Sequence, residues 1–195
     1  MSYLSPRFVR RARPRRLLAA AAALLLAACS TDDVTAPPRE LQGTFTVDAR
    51  TNWVYVSLAD SAVVDSATAV ATGKWDVAFQ ATNVALGAGT AGFCLCQNTA
   101  QAPTSAAWLA MTPQGEAADF DAVTAVPAGA TFSADVFTAT PYYKYNLAGD
   151  HRISPTFDVY LLERGTTVYK IQITSYYDAT NTGRIISFRY ARIAE

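Results

Sequence analysis

Asp158-Val-Tyr-Leu-Leu162, Val168-Tyr-Lys-Ile-Gln-Ile-Thr174 and Arg184-Ile-Ile-Ser-Phe-Arg-Tyr190 are the segments whose reading decides the fold. Each is a short run rich in β-branched and aromatic residues, the composition of a strand. Arg164-Gly165 and Asn181-Thr182-Gly183 separate them, and both are turn sequences. Connections this short imply a meander, in which consecutive strands pair locally. Upstream, Gly43-Thr-Phe-Thr-Val-Asp-Ala49 alternates apolar and polar residues as a half-buried strand does. Trp53-Val-Tyr-Val-Ser-Leu58 and Trp75-Asp-Val-Ala-Phe-Gln-Ala81 repeat the pattern, with Trp75, Val77 and Phe79 on one face.

The middle of the chain differs. Ser105 and Thr112 are both plausible N-caps, and Thr112-Pro113 followed by Glu116 places proline at the first helical position with an acid in the first turn. Ala117, Phe120 and Val123-Thr124 supply an apolar stripe, so the spacing predicts a helix from about Pro113 to Thr124, ended before Pro127. A loop-rich stretch runs on to Pro141. No internal repeat is apparent. The expected fold is mainly β, an antiparallel sheet or meander with one or two short helices.

The chain has 195 residues, of which 51% are hydrophobic, enough for one domain with a real core. Its formal charge of zero hides an asymmetry. Arg7, Arg10, Arg11, Arg13, Arg15 and Arg16 precede an apolar run from Leu17 to Ala28, and no acid precedes Asp32. Charged segment, apolar segment and small residues come in the order of a secretory signal. The run of 12 residues is too short to span a bilayer as a helix, which needs about 20. Leu26-Ala-Ala-Cys29 resembles the bacterial lipobox, which makes Cys29 a lipid attachment point; the alternative is a plain secretory signal with a coincidental cysteine. Arg15-Arg16 also allows a twin-arginine reading, but the rest of that pattern is missing and the general secretion route is favoured. Residues 1–28 are therefore expected to be a lipoprotein signal peptide, 29–40 the lipidated Cys29 and a tether containing Pro37-Pro38, and 41–195 the β domain. Ser30, not Asp, follows the cysteine, which by resemblance to other lipoproteins favours the outer membrane, facing the periplasm or the surface. Without the six arginines, 10 of the 16 basic residues stand against 16 acids, a net charge of about −6. A negative body without basic clusters argues against nucleic acid, so the membrane is met only through the lipid.

Few residues offer chemistry. Gly87-Ala-Gly89-Thr-Ala-Gly92 matches GxGxxG, yet Phe93-Cys-Leu-Cys-Gln97 continues as a strand, so a glycine-rich connection between strands is the better reading than a dinucleotide site. Cys94 and Cys96 share a face at i and i+2. Three readings stand for them: a local disulfide at a bend, favoured by the even count once Cys29 is lipidated; a thiolate pair for a soft metal; and simple packing. His151, the one histidine, lies in a turn leading toward a strand, and no Gly-x-Ser-x-Gly elbow places a nucleophile, so no enzyme is expected. A structural or exposed histidine and a ligand are the two readings of it. Met111, the one methionine left after processing, is either core packing or a thioether ligand. Tyr142-Tyr-Lys-Tyr145 reads as sheet surface or core, and as a lining for a flat apolar ligand.

Taken in order, these residues resemble the HmuY family, haem-binding lipoproteins of Gram-negative bacteria. The stretches that carry the resemblance are Thr51-Asn-Trp-Val-Tyr-Val-Ser-Leu58, Lys74-Trp-Asp-Val-Ala-Phe-Gln80 with Thr82-Asn83, and Tyr142-Tyr-Lys-Tyr-Asn146 leading to His151 and Pro155. Val159-Tyr160, Tyr169-Lys-Ile-Gln-Ile173 with Ser175-Tyr-Tyr177, and Ile186-Ser-Phe-Arg-Tyr190 complete it. The resemblance implies a mainly β fold that holds haem on loop-borne axial ligands and hands it to an outer-membrane receptor, in the service of iron acquisition. Bis-histidine ligation within one chain is excluded by the single histidine. His151 with Met111 is a chemically reasonable pair of iron ligands. Five-coordinate haem on His151, a dimer sharing haem through two copies of His151, and a surface lipoprotein that has kept the fold without haem are the other readings.

Overall fold

The computed structural model describes residues 41–96, 120–147, 149 and 151–193, all within one compact unit, Pro38–Glu195. The described elements are β1 (Gln42–Asp48), β2 (Val54–Ser57), β3 (Ala62–Val64), α1 (Ser66–Thr72), β4 (Val77–Gln80), β5 (Asn83–Leu86) and β6 (Thr90–Leu95). They continue with α2 (Val136–Ala139), β7 (Tyr143–Tyr145), β8 (Ile153–Pro155), β9 (Val159–Arg164), β10 (Thr167–Tyr177) and β11 (Gly183–Arg192). Every pairing is antiparallel. A larger sheet has the order β1-β11-β10-β9-β6, a smaller one β3-β2-β4-β5, and β7-β8 stand as a separate hairpin.

The meander β9-β10-β11 forms the centre of the larger sheet, as the three C-terminal runs imply. Gly165, at φ 62, makes the tight connection between β9 and β10, where a residue with a Cβ is disfavoured. Side chains alternate along β9. Tyr160 and Leu162 join the main core, while Val159 and Leu161 join a second cluster on the other face. Burial on both faces explains why Val-Tyr-Leu-Leu reads as a continuous apolar run. The main core lies between the sheets, and Phe79 of β4 meets Phe188 of β11 at a centroid distance of 5.0 Å. Full burial of side chains such as Ile171 and Phe188 contributes about 1.5–3 kcal/mol each. Val77 and Phe79 both face this core; Trp75 is half-buried, with its ring edge-on to Tyr55.

A buried ion pair ties the two sheets. Asp76, just before β4, accepts from the backbone N–H of Leu58 at 2.7 Å and from Arg164 Nη1, at the end of β9, at 2.8 Å.

The helix expected over 113–124 does not extend through its last turn. Residues 113–119 lie outside the described residues, and 120–124 are turn and irregular chain. The carbonyls of Phe120 and Val123 are taken by the ammonium of Lys170, at 2.7 and 2.9 Å. Phe120 is buried against the second cluster and lies 4.5 Å under the same ammonium. A tertiary cation has replaced helical amide donors at these two carbonyls.

The Gly87–Gly92 stretch connects β5 of one sheet to β6 of the other. It runs directly into strand β6 and not into a helix, so it lacks the helix N-terminus that a dinucleotide site needs. Gly92 is required by contact: a Cβ there would collide with Val136 of α2.

Candidate functional site

The β7–β8 hairpin carries His151. Its register pairs Tyr143 with Pro155, Lys144 with Ser154 and Tyr145 with Ile153. Beyond that pairing the loop folds back on Asn146, whose carbonyl accepts from the N–H of Gly149 at 3.3 Å and of His151 at 3.1 Å. A Cβ at Gly149 would meet the Asn146 side chain, which would have to move. His151 takes φ 58, a left-handed conformation uncommon for a residue with a Cβ. This conformation turns the imidazole back over the hairpin. Its Nδ1 lies 2.9 Å from Tyr145 Oη, with the ring centroids 5.8 Å apart.

The hairpin is fixed from below. Arg152 donates through Nη2 to Asn181 Oδ1 at 2.7 Å, and its guanidinium lies 4.7 Å from the Tyr177 ring centroid. Tyr177 Oη accepts from the Ile153 N–H at 3.1 Å. Register shifts in β10 around Ser175 aim Tyr177 at the hairpin, as bulges re-aim side chains elsewhere. Asn181 is held in turn by Asp178, which accepts from Thr182 N at 2.7 Å, Thr180 N at 2.9 Å and Thr180 Oγ1 at 2.8 Å. The Thr182 amide first, then the Thr180 hydroxyl, hold the Asp178 carboxyl below its usual range. Tyr142, at the root of β7, is buried with no hydrogen-bond partner for its hydroxyl among the described residues. Burial pushes its pKa up, and does the same to Tyr160.

The outer edge is exposed and apolar: Tyr145 is 48% and Leu147 72% accessible, beside the exposed His151. When Nδ1–H donates to Tyr145 Oη, the second ring nitrogen, Nε2, keeps its lone pair for a metal. Nε2 has no partner among the described residues. Among the described residues His151 belongs to no cluster of metal-ligating groups, and one such cluster forms, Cys94, Cys96 and Asp158. Cys94 and Cys96 are joined by a disulfide at the end of β6. Met111 and Cys29 lie outside the described residues. Tyr145 belongs to the Tyr142–Tyr145 run read as sheet surface, core or ligand lining, but its pairing with His151, and the supporting roles of Arg152, Tyr177 and Asn181, are not foreseen. For Tyr145 a signal was present, since a hairpin closing between Tyr145 and Ile153 brings it beside His151.

The family model for the HmuY protein matches residues 49–155, more than half of the chain and including His151. The chain belongs to the HmuY family. Solved structures share the HmuY fold at low identity. The apo HmuY analog of Tannerella forsythia superposes with a TM-score of 0.56 at 13% identity, covering 80% of this chain and 97% of that one. Apo PinO of Porphyromonas gingivitis gives 0.53 at 14%, covering 81% and 99%. A candidate HmuY-like heme-binding protein of Bacteroides vulgatus gives 0.51 at 16%, covering 82% and 96%. A comparison with curated proteins finds no match.

The donor set fits one axial ligand to haem. His151 offers an imidazole with one nitrogen held and the other open, beside the exposed Tyr145 and Leu147. With one histidine in the sequence, a second imidazole would have to come from another chain.

Proposed function

We propose that this HmuY protein is a non-catalytic, lipid-anchored haem-binding protein of the cell envelope, acting in haem and iron acquisition. The observation that carries the reading is the Tyr145–His151 contact at an exposed apolar edge. Bound haem would supply an iron centre that accepts a nitrogen lone pair and a porphyrin face that seeks apolar cover. His151 would hold the iron through Nε2, Tyr145 would keep the imidazole in the competent tautomer, and Tyr145 with Leu147 would give the porphyrin apolar cover. Met111 is the proposed second ligand, on chemistry alone: it is the one thioether left after signal removal, and His/Met pairs hold haem iron elsewhere.

The anchor is Cys29, released as the new N-terminus when residues 1–28 are cut off, with 30–40 as tether. Outer-membrane placement follows from Ser30, and an outer-membrane haem receptor is the proposed recipient. The second reading, a surface lipoprotein with a structural or partner-binding role, is favoured by the single histidine. Haem titration of the purified domain followed in the Soret band separates the two: saturable binding lost in His151→Ala supports the first, and no saturable shift supports the second.

A further inference from the structure

The second chemically competent cluster is on β6, the edge strand of the larger sheet. Cys94 is in register with Tyr160 and Leu95 with Val159, so the end of β6 lies beside the start of β9 and the residue preceding it, Asp158. The disulfide joins Cys94 to Cys96 with Cα atoms 5.1 Å apart. One carboxylate oxygen of Asp158 and both sulfurs lie within 4.8 Å of one another. Asp158 is 4% accessible.

Two features set this bridge apart from a stabilising staple. It encloses one residue, so it removes almost no freedom from the unfolded chain, and the chain-entropy contribution of a disulfide grows with the loop it closes. The segment feeding Asp158 is also held in an uncommon conformation. Phe157 takes φ 60, its carbonyl accepts from Gln172 Nε2 at 2.6 Å, and Thr156 is tied to the carbonyl of Tyr142. Left-handed residues fixed from several sides occur where a side chain must be held in one place. Here the held side chain is the carboxylate next to the two sulfurs.

We propose that Cys94, Cys96 and Asp158 form a redox-gated binding site for a thiophilic divalent cation of the zinc class, closed while the disulfide is intact. A thiol or dithiol reductant opens it. Two electrons from the reductant break the S–S bond, two protons give the Cys94 and Cys96 thiols, and the reductant leaves as its own disulfide. The cation then displaces both thiol protons to solvent and takes two thiolates and one carboxylate oxygen, with one of its four positions left for water. Three negative charges within 4.8 Å repel one another strongly unless a cation lies among them, so the reduced site favours the metal-filled state. A mixed sulfur and oxygen set suits a borderline-soft divalent ion better than a monovalent soft one. Among the described residues the outer side of β6 is bridged only at Gly92, by Ser133.

The test uses the secreted domain, once oxidised and once reduced with a phosphine that does not bind metal, titrated with Co2+ and then displaced with Zn2+. The expected result is no binding to the oxidised protein and one equivalent to the reduced protein, with thiolate-to-cobalt charge-transfer bands and tetrahedral d–d bands. Alkylating both thiols after reduction abolishes binding without any substitution, and Asp158→Asn weakens Zn2+ binding roughly tenfold or more, the loss seen even for outer-shell partners. Far-UV circular dichroism checks that Asp158→Asn is folded. Absence of thiolate-to-cobalt bands in the reduced protein overturns the proposal. Unchanged affinity in folded Asp158→Asn, or binding that survives alkylation, overturns it equally. An unfolded Asp158→Asn transfers the decision to the alkylation and cobalt spectra of the wild-type chain.

Discussion

Tyr145 Oη and His151 Nδ1 lie 2.9 Å apart at the loop end of the β7–β8 hairpin, joining a strand residue to a loop residue six positions later. The contact fixes which ring nitrogen of His151 is engaged and which is offered outward. In the proposed function it is the positioning interaction for the ligand.

Tyr145→Phe keeps the ring and removes the hydroxyl. Haem affinity is expected to fall about 10–100-fold while the Soret position of the bound form stays that of an imidazole complex. A titration that superimposes on wild type would show that Tyr145 does not position His151.

His151 occupies a left-handed conformation that asparagine accepts more readily. His151→Asn is therefore expected to leave the thermal midpoint unchanged or raised, while haem binding is lost. A marked fall in the midpoint would mean that His151 is held for stability and not for a ligand.

Asp76 holds the Leu58 N–H and Arg164 together and is itself buried. Asp76→Ala strands both partners. Removing one member of a fully buried pair costs about 3–5 kcal/mol, and because Arg164 keeps contact with water the expected loss in urea unfolding is roughly 2–4 kcal/mol. A loss below about 1 kcal/mol would contradict the role given to this pair.

Burial raises the pKa of Tyr142 and Tyr160 from the ordinary 10.0. In the unfolded chain both hydroxyls ionise near that value, whereas in the folded chain they stay protonated. Their contribution to stability is present below pH 10.0 and is lost as pH rises beyond it. Spectrophotometric titration should show these two tyrosines ionising together with unfolding. Full ionisation of all nine tyrosines from Tyr55 onward in a domain that keeps its circular dichroism would contradict their burial.

The long strands were legible because their periodicity is local. β10 and β11 show it over 11 and 10 residues, and glycine marks the turn at Gly165. α1 was not, although Asp65 caps its start and Gly73 closes its end at φ 63: in Ser-Ala-Thr-Ala-Val-Ala-Thr only Ala69 is buried, so no apolar stripe exists to read. β7 and β8 have three residues each, too few for a pattern. Of the candidate site, His151 stood out by being single. Tyr145 stood out only as part of an aromatic run and not as the partner of His151, and Arg152 and Tyr177 carried no signal of their roles, because these depend on a hairpin register and on bulges in β10, which are tertiary facts. The expected helix failed at Phe120 and Val123 because Lys170, some fifty residues away, claims their carbonyls.

The most direct measurement is a haem titration of the reduced and oxidised iron forms against wild type, His151→Ala and Met111→Ala, read in the Soret and visible bands. The account predicts saturable one-to-one binding to wild type, loss of the low-spin spectrum in His151→Ala, and conversion to a five-coordinate spectrum in Met111→Ala. A Soret shift that is absent from wild type, or unchanged by His151→Ala, would contradict it.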